Sequence, residues 1–117
     1  MQFQTPDSII QDLVAIRQES SKGVDALFAA EEEVAELRLK YDTARSRALL
    51  DAKGTVVDRE ALACLATEAD KLALDISVAK LSRVKAKLRV LQDAQTNIQT
   101  QARMVELTYK TAGVGER

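Results

Sequence analysis

The spacing of helix-breaking residues constrains this chain more than any other feature. Pro6 is its only proline, and Gly54 lies near the middle of its 117 residues. On each side of Gly54, apolar residues recur every three or four positions, which is the period of an amphipathic helix. Ala, Glu, Lys, Leu and Arg supply about half of the chain, as they do in long helices and coiled coils. The sequence therefore predicts an all-α fold, a long antiparallel helical hairpin that resembles a coiled coil.

The first helix of this single domain, residues 1–117, is predicted over about residues 6–53. Thr5 can cap it because its hydroxyl can accept a hydrogen bond from a free amide of the first turn. Residues 20–23 read Ser-Ser-Lys-Gly, a poor helical tract, so we expect a kink or break there that leaves a separate short N-terminal helix. At the other end of the chain, residues 112–117 are predicted to be a frayed tail.

The turn between the helices is marked by glycine and by polar capping residues. Gly54 suits the left-handed position that ends a helix, and the turn is predicted over residues 54–57. Thr55 and Asp58 are alternative caps for a second helix over about residues 57–111. A connection this short forces the two helices to lie antiparallel.

An apolar stripe along the first helix predicts its contact with the second. Between Leu13 and Ala48 its mean spacing is 3.5 residues, the heptad period of helices that pack side by side. The stripe consists of Ile9 or Ile10, Leu13, Ile16, Ser20, Val24, Leu27, Glu31, Val34, Leu37, Tyr41, Ala44 and Ala48.

The second helix carries two stripes that differ in phase. The early stripe is Leu62, Leu65, Ala69, Leu72, Ile76 and Ala79, and the late stripe is Leu91, Gln95, Ile98, Ala102, Val105 and Tyr109. Leu62 and Gln95 are separated by three elevens rather than by a multiple of seven, which predicts a change of supercoil or of partner near Leu81, Val84 and Leu88.

Folding the chain about Gly54 places residues opposite each other when their numbers sum to about 109. A seam between two helices buries little surface against the entropy of ordering the chain. We therefore expect a partner, which is the protein itself, as a dimer or tetramer, a different protein, or both. The residues predicted to form this partner seam are Leu81, Val84, Leu88, Leu91, Gln95, Ile98, Ala102 and Val105.

Five basic residues lie between Asp75 and Asp93 without an acidic residue among them: Lys80, Arg83, Lys85, Lys87 and Arg89. They could contact nucleic-acid phosphates or an acidic partner. Alternatively, their aliphatic stems cover the edges of the seam while their charges stay in water or pair with acids. Glu31, Glu32, Glu33 and Glu36 form the acidic counterpart and are expected to set the register through Lys71 and Lys80.

The composition offers little for catalysis. Histidine is absent, which removes the usual proton shuttle and the commonest metal ligand. Glu32 and Glu36 lie one helical turn apart but lack a histidine to complete a carboxylate metal site, and Cys64 is expected to be a small filler of the core. We predict a protein that is not an enzyme, with no catalytic residue, metal, cofactor or small-molecule substrate. The sequence also shows no signal peptide and no membrane-spanning run.

Two stretches resemble a family of small helical proteins encoded by tailed bacteriophages of actinobacteria. They are residues 41–61, YDTARSRALLDAKGTVVDREA, and residues 88–92, LRVLQ, within a similarity that covers about residues 34–104. The resemblance implies a phage or prophage origin, a location in the cytoplasm of the bacterial host, and a gene close to replication and recombination functions. It carries over no functional residues and leaves residues 2–23 outside.

Three hypotheses for function follow. The leading one is a phage-encoded protein that acts by protein–protein interaction, through its apolar seam and residues 80–101. It would be accessory to phage DNA replication or recombination, or would modulate a host factor. The second is a nucleic-acid-binding accessory that uses the basic residues Lys80–Arg89. The third is a structural or assembly component of the phage particle.

Overall fold

The computed structural model describes residues 5–115, which are helical except at the connections between helices. Helix α1 spans Pro6–Asp51, α2 spans Val56–Ala66 and α3 spans Glu68–Gly115. α2 and α3 run back along α1, which confirms the predicted all-α hairpin. Within the described residues, none of these helices has both the length and the apolar character required to cross a membrane.

The described residues form two compact units, each made of antiparallel helix segments. The turn unit consists of residues 26–85, and the terminal unit consists of residues 5–25 and 86–115. α1 and α3 each contribute to both units.

Contacts within each unit agree with the predicted register. In the turn unit, Lys40 Nζ lies 3.8 Å from an oxygen of Asp70. In the terminal unit, Gly23 lies against the side chain of Leu88. The residue numbers sum to 110 and 111, close to the predicted 109, so Gly54 does mark the fold of the hairpin.

The predicted helix starts and the central turn are present. Thr5 Oγ1 accepts a hydrogen bond from the Ser8 amide at 3.2 Å, while Ser8 Oγ accepts one from the Thr5 amide at 3.1 Å. Gly54 has a φ of +124°, a conformation that side chains rarely tolerate. Of the two alternative caps, Thr55 caps α2, because its Oγ1 accepts from the Asp58 amide at 3.2 Å.

Arg59 ties the start of α2 to the end of α1. Its Nη2 and Nε donate to the Leu49 carbonyl at 2.8 and 3.3 Å, one of the last four carbonyls of α1, which have no partner within the helix. We expect Arg59→Gln to lower the free energy of unfolding by about 1.5–3 kcal/mol, the usual value for a hydrogen bond to a charged group. Chemical denaturation should show this loss, with Lys53→Gln, at an exposed position, as the unaffected control.

The predicted break at residues 20–23 is wrong. α1 continues through this tract, so the structure contains no separate short N-terminal helix. The physical reason is packing: Ser20 and Gly23 both face the helix contact, and a Cβ at Gly23 would overlap the Cδ2 atom of Leu88. Tertiary contact of this kind stabilises helices beyond the propensity of their residues. Gly23 therefore permits close approach of the helices and does not end α1.

This role of Gly23 predicts a coupling with Leu88. Alanine at a helix interior is favoured over glycine by about 1 kcal/mol, but in Gly23→Ala the new methyl group would displace Leu88. We expect Gly23→Ala to gain clearly less than this amount in the natural chain and to gain it fully in a Leu88→Ala background. Thermal unfolding of the four chains measures the coupling, and equal gains in both backgrounds would contradict the assigned contact.

The second helix is interrupted, which the sequence did not predict. Thr67 separates α2 from α3 with φ −113° and ψ 14°. Its Oγ1 donates to the Ala63 carbonyl at 2.7 Å, and its amide bonds the carbonyls of Ala63 and Cys64. A threonine hydroxyl that bonds the backbone in this way competes with regular helix geometry. α3 also continues beyond the predicted end at residue 111 to Gly115, and residues 116–117 of the predicted tail lie outside the described residues.

The observed seam keeps one heptad phase, and this corrects three predictions. On α1, Gly23 and Ala30 are less exposed than the predicted Val24 and Glu31. On α2 and α3, the early stripe of the sequence prediction is exposed throughout, so the predicted change of phase does not occur. The seam residues there are Arg59, Ala63, Thr67, Asp70, Leu74, Ser77, Leu81, Val84, Leu88, Leu91, Gln95, Ile98, Ala102 and Val105, and Ala73 and Ala94 next to them are also half-buried.

Candidate functional site

The seam of the turn unit is built from small side chains on the α2–α3 side. Ala63, Thr67 and Ser77 are each no more than 2% exposed. Ser77 Oγ donates to the Leu74 carbonyl at 2.6 Å, so its buried hydroxyl is satisfied within the helix. Small residues let two helix backbones approach closely, and Leu62, Leu65, Leu72 and Ile76 lie outside this seam.

Exposed apolar residues form a stripe along α2 and the start of α3, which we call the outer stripe. It consists of Leu62, Leu65, Ala69, Leu72 and Ile76. Its four large side chains are respectively 50, 66, 61 and 48% exposed. At 100° per residue, the α3 part of the stripe lies about 150° around the helix from Thr67, Asp70, Leu74 and Ser77. The outer stripe thus faces away from α1.

The two edges of the outer stripe differ in character. Ala66 and Ala73 follow Leu62 and Ala69 by four residues each and form a smooth edge. Glu68 and Asp75 are exposed on the opposite edge, and neither forms an ion pair within the described residues. The surface combines an apolar centre, one edge that a helix can approach closely, and one acidic edge.

The residues predicted as a partner seam lie in the contact with α1. All eight, from Leu81 to Val105, are half-buried. Leu88 and Leu91 are the nearest side chains to Gly23, and Ala102 and Val105 line a groove with Ile9 and Leu13. The helices of the hairpin therefore already use this seam.

The terminal unit contains an apolar groove with a volume of about 420 Å³. It is lined by Pro6, Ile9, Ile10, Leu13, Ala102, Val105, Glu106, Tyr109 and Lys110. Lys110 Nζ lies 3.1 Å from Glu106 Oε1 at its rim, so its nearby charges already neutralise each other.

The predicted basic residues are all exposed on α3. Lys80, Arg83 and Lys85 belong to the turn unit, and Lys87 and Arg89 to the terminal unit. None of them forms an ion pair in residues 5–115. The glutamates at positions 31–33 and 36 are also exposed and make no ion pair with Lys71 or Lys80, so the predicted register contact is not formed at these residues.

No cluster that could hold a metal is present in the described residues: no three Cys, Asp or Glu side chains converge. Cys64 is exposed, which corrects its assignment to the core. It lies beside the buried Ala63, and the side that faces α1 requires the smaller residue.

The sequence contained a signal for the outer stripe. Counting back in sevens from Leu81 and Val84 gives Leu74 and Ser77, then Thr67 and Asp70, and all of these are less exposed than the leucines beside them. The sequence prediction assigned Leu62, Leu65 and Leu72 to the seam because they are large and apolar. A single phase extended from residues 81–105 would have placed them outside the seam.

Comparisons with known proteins give no further guide to the function of this surface. No protein-family model, curated protein or solved structure matches the chain.

Proposed function

We propose that this protein is not an enzyme and acts by protein–protein interaction, with the outer stripe as its docking surface for a helix. The observation that carries the proposal is the distribution of side-chain size. Ala63, Thr67 and Ser77 occupy the inner seam, while Leu62, Leu65, Leu72 and Ile76 face outward. A chain that needed these residues only to fold would place the large side chains inside, where their burial stabilises the fold most.

The energetics of the stripe favour association. Fully burying a leucine or isoleucine side chain contributes about 1.5–3 kcal/mol relative to leaving it exposed. The four large side chains of the stripe are about half exposed or more. A partner helix that covers all four would therefore gain a substantial part of this free energy from each side chain.

We propose the setting from the sequence resemblance. Residues 41–61 resemble the turn of proteins of tailed bacteriophages of actinobacteria, and on this resemblance alone we propose a role in the host cytoplasm. There the protein would be accessory to phage DNA replication or recombination, or would modulate a host factor. Its partner is accordingly a second copy of the chain or another phage or host protein.

A photo-crosslinking amino acid at position 69 tests the docking surface in actinobacterial cells. Ala69 lies at the centre of the stripe, and Ala35, exposed on α1 of the same unit, is the matched control position. We expect protein adducts from position 69 at several times the yield from position 35. Equal yields, or adducts from position 35 alone, would overturn the proposal.

A further inference from the structure

We infer that the occupant of the outer stripe is an amphipathic helix of another protein that carries basic residues along one edge. The inference rests on the proposed function and names the partner of the same surface. The apolar centre of the stripe could receive the apolar face of many helices, so it does not select a partner by itself. The charges around the stripe make that selection.

Glu68 and Asp75 form the acidic edge beside the apolar centre. At 100° per residue they lie about 70–90° around α3 from the middle of the stripe, where the flanking residues of a docked helix come close. Both are exposed and form no ion pair in the described part of the chain. Lys71, between them in sequence, lies about 130° from the middle of the stripe and does not face a docked helix. Cations on the partner would therefore meet two unpaired carboxylates.

The spacing of the two carboxylates specifies a sequence pattern in the partner. Glu68 and Asp75 are seven residues apart, which is about two helical turns. A helix packed alongside α3 presents one residue of each heptad to the same edge, and charges at such positions set partner choice and orientation. Lysine or arginine at two positions seven residues apart would match both carboxylates.

Charges at the two ends of the stripe specify the direction of the partner. Asp58 lies one turn before Leu62, and Lys80 and Arg83 lie one and two turns beyond Ile76. All three charged residues are exposed and form no ion pair within residues 5–115. A helix carries partial positive charge at its N-terminus and negative charge at its C-terminus. The partner therefore runs in the same direction as α2 and α3.

A second copy of the chain matches these charges less well. Bound antiparallel through the same stripe, it would set the acidic edge against its own equivalent. Bound parallel, it would turn its smooth edge, Ala66 and Ala73, toward Glu68. Neither arrangement gives Glu68 a cation, and like charges that meet at a contact lower affinity. The charge pattern favours a different protein.

Two designed peptides test the charge of the partner. Each is a helix of about three heptads with leucine at positions a and d. The lysine peptide has lysine at its e positions, and the glutamate peptide has glutamate there. Fluorescence anisotropy with the full chain should give a dissociation constant about tenfold lower for the lysine peptide. Equal affinities, or no binding of either peptide, would overturn the inference.

Charge reversal on the protein tests whether the acidic edge is responsible. Glu68→Lys with Asp75→Lys should invert the preference, so that the glutamate peptide binds about tenfold more tightly. Glu32→Lys with Glu36→Lys is the matched control, since both residues are exposed on α1 of the same unit, and it should keep the preference for lysine. Inversion in the control as well would show that net charge selects the peptide and would contradict the inference.

Disulfide trapping tests the direction. With Cys64 replaced by serine, Asp58→Cys and Arg83→Cys each place a single thiol at one end of the stripe. A lysine peptide with an N-terminal cysteine should form a disulfide several times faster with position 58 than with position 83. Equal rates or the reverse order would overturn the assigned direction.

The two proposals can fail separately. Adducts from position 69 that contain only a second copy of the chain, or a segment without a basic edge, would overturn the basic partner but support the docking surface. A chain that gives no adducts and binds neither peptide would overturn both.

Discussion

Replacing Leu65 and Leu72 with glutamine should abolish any association of the protein through the outer stripe without unfolding it. Both side chains are more than 60% exposed in the hairpin, so their loss removes little from the contact with α1. The proposed interface would lose two central residues, and fully burying one leucine contributes about 1.5–3 kcal/mol. We expect the dissociation constant, measured by sedimentation equilibrium, to rise by about 100-fold or more.

The matched control for this experiment uses the same substitution on the other helix. Leu39 and Leu50 on α1 are 69 and 80% exposed, so Leu39→Gln with Leu50→Gln makes an equal change in surface apolarity outside the stripe. The control should keep the association of the natural chain. If both double variants weaken association equally, general surface hydrophobicity drives it. If the Leu65 and Leu72 variant loses its helical circular dichroism, these leucines serve the fold.

Replacing Ala63 with leucine should destabilise the fold, whereas the substitutions in the outer stripe should leave its stability nearly unchanged. Ala63 is fully buried at the narrow part of the seam, so a larger side chain would push α2 away from α1. Overpacking of this kind typically lowers the free energy of unfolding by about 1–3 kcal/mol. Denaturant titration at a fixed protein concentration would measure the loss.

Ala61→Leu is the control, because Ala61 lies two residues away on the exposed side of α2. A surface substitution there should change the free energy of unfolding by no more than about 0.5 kcal/mol. Equal losses at the two positions would show that helix α2 does not present Ala63 to α1, and would remove the observation on which the docking surface depends.

The sequence predicted the fold class, the register, the start of α1 and the central turn because each depends on local signals. Thr5 and Gly54 act through hydrogen bonds and backbone angles within a few residues of themselves. The antiparallel register then follows from the position of the turn. These features need no knowledge of which residues pack together.

The inner face of α2 and α3 was harder to predict because these helices carry two stripes on different sides, and either stripe could have faced α1. Size favoured Leu62 and Leu65, but the close contact with α1 selects Ala63 and Thr67, which are smaller. Gly23 was also misinterpreted. Its low helix propensity predicted a break, but its lack of a side chain leaves room for Leu88. A sequence pattern reports hydrophobicity and helix propensity. Here the distance between the two helix backbones determines which side chains fit in the seam.

The solution mass of the unmodified chain mixed with the lysine peptide, measured by light scattering, tests the central claim most directly. If the outer stripe docks a helix, the mass will exceed that of the 12.8 kDa chain by the mass of one peptide, and it will fall to the value of the chain alone in the Leu65 and Leu72 variant. A helical chain that stays at 12.8 kDa with the peptide at high micromolar concentration would contradict the account.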